Sequence, residues 1–98
     1  MKLIDLAKIL RSKNAGPLYI TFDIIFNNEE DLLTALKGLT KQKIAKAYDV
    51  KEELIDVIVY NVVNSVKITF PRKIISGGVL DDDIYGCQQH VPLANIDI

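Results

Sequence analysis

The chain has no tryptophan, a single cysteine and a single histidine, and its last 23 residues contain no lysine or arginine. Each gap excludes something. With Cys87 as the only thiol, no intrachain disulfide can form, and a disulfide-stapled secreted scaffold is excluded. No apolar run approaches the ~20 residues needed to cross a bilayer as a helix. The start Met1-Lys2-Leu3-Ile4-Asp5 places an acid where a signal peptide would build its apolar core, so a cytoplasmic location is expected. The net charge of −1 gives no broad attraction to nucleic acid or to an anionic membrane. The Gly-Lys-Ser/Thr spacing of a nucleotide-hydrolase phosphate loop is missing, as are internal repeats, low-complexity tracts and interdomain linkers. Without tryptophan, and with seven aromatic residues, the core falls to Ile, Leu and Val, and the β-branched pair among these favours sheet.

What is present suits one domain over residues 1–98. A chain of 98 residues buries about two-thirds of its unfolded surface, enough to fold without metal or disulfide. Its charge is uneven. Residues 1–75 hold all 12 cationic side chains against nine acids, for +3, and residues 76–98 hold four acids alone, for −4. An acidic tail of this kind can fold back on a basic body, meet a basic partner, or simply stay solvated.

Leu3 to Leu10 reads as a strand, or as a short helix leading into one, since its apolar spacing fits a helical period at least as well. The glycine-proline turn and clear strand that follow favour the strand. Leu18 to Phe26 is the clearest strand: Leu18, Ile20, Phe22, Ile24 and Phe26 share one face and Tyr19, Thr21, Asp23 and Ile25 the other. Asn27 or Asn28 can cap a helix whose first turn carries Glu29, Glu30 and Asp31 and whose apolar stripe is Leu32, Leu33 and Leu36. Gly38 is expected to end it in a left-handed conformation. Thr40 opens a second helix, with Leu39 placed to staple against Ile44 and with Ala45, Ala47 and Tyr48 on its apolar face. Residues 51–54 form a turn. Ile55 to Tyr60, a nearly unbroken apolar run, predicts a strand covered on both sides. After a turn at Asn61 and Asn64, Val66 to Phe70 alternates as a strand that Pro71 ends, with Ile74 and Ile75 a possible extension. Ser76-Gly77-Gly78 is a hinge, and Leu93 to Ile98 predicts a final edge strand. The sum is an α+β domain, a mostly antiparallel sheet with a helix pair on one face.

Two polar segments carry the reactive chemistry. Arg11-Ser12-Lys13-Asn14-Ala15-Gly16-Pro17 reads as a connection between strands. Arg11 offers a planar fork for carboxylate or phosphate, Lys13 a point charge, Ser12 and Asn14 neutral donors, and Gly16 a backbone path that can aim successive amides at one anion. The same residues also make a good turn. The second segment runs from Asp81 to His90. His90 is the one side chain titrating near neutrality, and Tyr85 and Gln89 could orient it or a substrate, whereas a satisfied structural histidine is the plainer alternative. Cys87 with His90 is an incomplete zinc set, and Asp81-Asp82-Asp83 lacks calcium-loop spacing, so neither metal nor cofactor is expected. Cys87 reads as an incidental thiol and Arg72 as surface charge or a second cation facing the acidic loop.

The opening Leu3-Ile4-Asp5-Leu6-Ala7-Lys8-Ile9-Leu10-Arg11-Ser12-Lys13-Asn14-Ala15-Gly16-Pro17, the strand Thr21–Phe26, the stretch Lys67–Arg72 and the ending Asp83–Leu93 resemble a small family of unknown function. That family occurs beside, or fused to, acyclic-terpene-utilisation proteins and has a ferredoxin-like fold. The resemblance spans the chain, although Ser76–Asp82 is more acidic than the family's loop and Cys87 stands where a smaller residue is usual. It implies a stand-alone subunit acting with a larger partner in organic acid or acyl-coenzyme A metabolism, and it brings no catalytic residues with it. Three functions are therefore expected to compete. The first is an accessory subunit contributing an anion site through Arg11, Ser12, Lys13, Asn14 and Gly16. The second is a small lyase, isomerase or hydratase with His90 as general acid/base, and the third a homo-oligomer without ligand. The shared requirement of the first two is a crevice common to both polar segments.

Overall fold

The computed structural model describes residues 1–16, 18–71 and 90–98, without the side chains of His90 and Val91. The order is helix α1 (Leu3–Leu6), strands β1 (Ala7–Asn14) and β2 (Tyr19–Phe26), helices α2 (Glu29–Gly38) and α3 (Lys41–Tyr48), strands β3 (Asp56–Tyr60) and β4 (Ser65–Pro71), and helix α4 (His90–Ala94). All strand pairs are antiparallel, and the sheet order is β1-β2-β4-β3. A four-stranded antiparallel sheet with helices packed against it is α+β and consistent with a ferredoxin-like arrangement.

The strict alternation of β2 and β4 builds this layering. Ile20, Phe22, Ile24 and Phe26 of β2 and Val66, Ile68 and Phe70 of β4 are buried together with Leu3, Leu32, Ala35, Leu39, Ile44, Leu93 and Ile96 from the helices and termini. Within this core the rings of Phe22, Phe70 and Tyr48 lie 5.0–5.4 Å apart, centroid to centroid, an arrangement that adds aromatic attraction to area burial. The helices start where capping chemistry allows. Asn28 Oδ1 accepts from the Asp31 amide at 2.8 Å and Thr40 Oγ1 from the Lys43 amide at 3.2 Å, each satisfying an amide without a helical partner.

Several expectations need correction. Leu3–Leu6 is a helical turn and the first strand begins at Ala7; the helical period in this stretch prevails because Leu3 is fully buried and its amide donates to Ile96 O at 2.9 Å. The buried positions of α2 are Leu32 and Ala35, while Leu33 is exposed, and Ala47 of α3 is exposed too. The run Ile55–Tyr60 is not covered on both sides. Only Ile55 is buried, β3 pairs with β4 alone among the described residues, and Ile58, Val59 and Tyr60 are exposed. The C-terminal stretch is helix α4 followed by one bridge, Lys2 to Asp97, with Ile98 N donating to Met1 O at 2.7 Å. The two ends of the chain are thus zipped together. The proposed extension at Ile74 and Ile75 and the hinge at Ser76-Gly77-Gly78 lie outside the described residues.

Gly38 corrects the reading in a different way. It is the last residue of α2 and does not take a positive φ. Glycine is required there for space: a Cβ would lie 2.6 Å from Ile98 Cγ2 and 2.7 Å from Ile98 Cα. Because the obstruction includes backbone, the G38A variant should destabilise the fold by about 1–3 kcal/mol, as overpacking does. Removal of Ile98 from the same variant should recover part of the loss, which urea unfolding of the two proteins would measure.

Candidate functional site

The residues Arg11 to Asn14 belong to β1 rather than to a loop, and the turn to β2 is shorter than expected. Ala15 N donates to Tyr19 O at 3.0 Å, and Gly16 takes φ +85° with open space around it, a backbone conformation that favours glycine. Being in a strand has a direct consequence. Successive side chains point to opposite faces, so the expected anion-binding residues divide into two pairs. Arg11 and Lys13 are exposed on the outer face, away from the helices, while Ser12, 5% exposed, and the half-buried Asn14 face the helix layer.

Register places the outer-face residues in rows across the sheet. One row runs Lys13, Thr21, Thr69, Asp56; the next runs Arg11, Asp23, Lys67, Ile58; a third runs Ile9, Ile25, Ser65, Tyr60. Thr21 and Thr69 share a hydrogen bond between their hydroxyls at 3.2 Å. Arg11 Nε lies 3.9 Å from Asp23 Oδ2, a loose pair on a guanidinium that is 66% exposed and so of little value for stability. Asp23 thereby stands between two cations in its own row, with Lys13 in the next. In these rows Arg11, Lys13 and Lys67 stand against Asp23 and Asp56, which leaves one net positive charge beside two hydroxyls.

On the opposite face, helix α4 begins at His90 and packs against β1. Its Leu93 is fully buried, and the Leu93 amide donates to Tyr48 Oη at 3.0 Å. Ser12 pairs in register with Phe22, whose ring touches that of Tyr48. The helix carrying His90 therefore lies on the side of Ser12 and Asn14, across the sheet from Arg11 and Lys13. Tyr85, Cys87, Gln88, Gln89, Arg72, the Asp81–Asp83 run and the imidazole of His90 lie outside the described residues. Among the described residues no group of three or more His, Cys, Asp or Glu side chains could hold a metal, and no helix is long and apolar enough to cross a membrane.

With this geometry in place, comparison with known proteins adds one finding. Residues 3–97 match the model of a domain of unknown function, DUF4387. The chain belongs to that family. Comparisons of the DUF4387 chain with curated proteins and with solved structures give no significant match. Sequence reasoning passed over Tyr48, which it assigned only to the apolar face of α3. Its signal was a lone phenol at the end of a short helix, and phenols, when buried, usually find a polar partner.

Burial pushes the Tyr48 phenol above its ordinary pKa of 10.0, and the Leu93 amide donating to its oxygen only partly opposes this. The folded protein thus keeps Tyr48 neutral where the unfolded chain ionises, so its contribution is complete below pH 10 and is lost as pH rises beyond. The Y48F variant should lose about 1–3 kcal/mol at neutral pH, because the Leu93 amide loses its acceptor. Above pH 10 its stability should fall less steeply than that of the parent, by up to about 1.4 kcal/mol per pH unit. Urea titrations from pH 7 to 11 would measure both effects.

Proposed function

We propose that this DUF4387 protein is an accessory subunit that binds a carboxylate-bearing molecule on the outer face of its sheet. In this reading it works beside a larger, acyclic-terpene-utilisation-like partner in organic acid or acyl-coenzyme A metabolism. The observation that carries the reading is the clustering of Arg11, Lys13 and Lys67 around Asp23, next to the Thr21 and Thr69 hydroxyls, with Asp56 the one other carboxylate in these rows. A guanidinium fork and two ammonium groups suit a carboxylate. Asp23 orients Arg11 while leaving the local charge positive. Ser12 and Asn14 fall to the structural side of β1 in this reading, and Gly16 shapes the turn that starts β2.

The test is calorimetric titration of the chain with succinate and with coenzyme A thioesters of dicarboxylic acids. Replacing Arg11 and Lys13 together by alanine should weaken binding by about ten- to a hundredfold or more, the worth of charged hydrogen bonds. Both side chains are exposed, so the fold should be untouched. An affinity that the double variant leaves unchanged would remove the outer face as the site.

A further inference from the structure

The two edges of the sheet are built differently. Edge strand β1 carries Lys8, Arg11 and Lys13 and an irregularity in register between Ala7 and Ile9. Cationic side chains and bulges are the devices by which natural proteins keep an edge from pairing with another chain. Edge strand β3, Asp56-Val57-Ile58-Val59-Tyr60, has neither. Among the described residues it pairs on one side only, with β4, so its other row of backbone donors and acceptors is unmatched there. Its surroundings are unusually apolar for an exposed edge: Leu54, Ile58 and Tyr60 are nearly half exposed, Val59 is 37% exposed although it faces the helix side, and Val63 and Val62 are 60% and 98% exposed.

We propose that β3 pairs antiparallel with β3 of a second copy of this chain, about a two-fold axis at Ile58. The strand is complementary to itself in that register. Ile58 meets Ile58, Val57 meets Val59, and Asp56 meets Tyr60, whose hydroxyl can donate to the carboxylate. No like charges stand opposite one another, as they would if the cationic β1 edges met, and cross-strand pairs of these types are favourable. Beyond the paired strands, the 3-10 turn Asn61–Val63 that follows β3 in one copy comes to the same end as the 3-10 turn Glu52–Leu54 that precedes β3 in the other, so Val62 and Leu54 cover apolar surface that one copy exposes. The interface is isologous and closes at two chains. It joins the sheets into eight strands and leaves both Arg11–Asp23–Lys67 rows on one continuous outer face. The inference does not depend on carboxylate binding.

Sedimentation velocity of the full chain over a range of concentrations should show a dimer. The I58K variant sets two ammonium groups against each other at the axis and should raise the dissociation constant by about tenfold or more, with unchanged far-ultraviolet circular dichroism. Val62 has almost no packing role within one copy, so V62K should weaken the dimer without any cost to folding. L33K, on the exposed side of α2, should leave it intact. In a C87S background, I58C should cross-link the two copies under mild oxidation. A parent chain that stays monomeric throughout, or a dimer that I58K and V62K leave intact and I58C does not cross-link, would overturn the proposal.

Discussion

The pairing of β2 with a neighbour on each side is the constraint from which the rest of the molecule follows. Seven register pairs tie it to β1 and seven to β4. Four buried apolar side chains, Ile20, Phe22, Ile24 and Phe26, fix which way it faces. A slip of one residue would carry Thr21, Asp23 and Ile25 into the helix layer and expose both phenylalanines. Burying an unpaired carboxylate while losing aromatic packing is costly on both counts. The register is therefore held by the core, and everything on the outer face inherits it.

That inheritance decides which polar groups share the outer face. Asp23 sits between Arg11 and Lys67 because the parity that points Phe22 inward points Asp23 outward. The Thr21–Thr69 hydroxyl pair arises from the same parity one row along. On the inner face, the termini and α4 close over the core through Leu3, Leu93 and Ile96. Tyr48 joins the aromatic cluster to the α4 backbone with one hydrogen bond. The chemistry of the two faces is thus separated by a single sheet, and the idea that both polar segments serve one crevice meets that separation directly. β1 places Arg11 and Lys13 on one side, and α4 starts at His90 on the other.

Much of the fold was legible. Strands β2 and β4 announce themselves by alternation, and α2 and α3 by Asn28, Thr40 and the acidic first turn, because these signals depend on neighbours two to four residues away. The mistakes have a common origin in longer-range contacts. Leu3–Leu6 and Leu93–Ile98 form no strands because they pack against each other across the whole length of the chain. Gly38 stands out in the sequence as a helix terminator, whereas the atoms that exclude a side chain there belong to Ile98, sixty residues away. Ile55–Tyr60 has the composition of a buried strand and, among the described residues, the position of an edge. Of the residues expected to bind an anion, the types were evident in the sequence, but their division between faces required β1 to extend through Asn14.

By itself, the amino-acid order determined the alternating strands, the capped helix pair, the α+β class and membership in a family without a known activity. Those features rest on local periodicity, which one stretch of chain contains completely. Only the tertiary structure decided which strands lie at the edges, which cations share a face and where the ends of the chain meet. Each of these is a relation between segments distant in sequence, fixed by the shape of the core they jointly bury, and no single segment carries it.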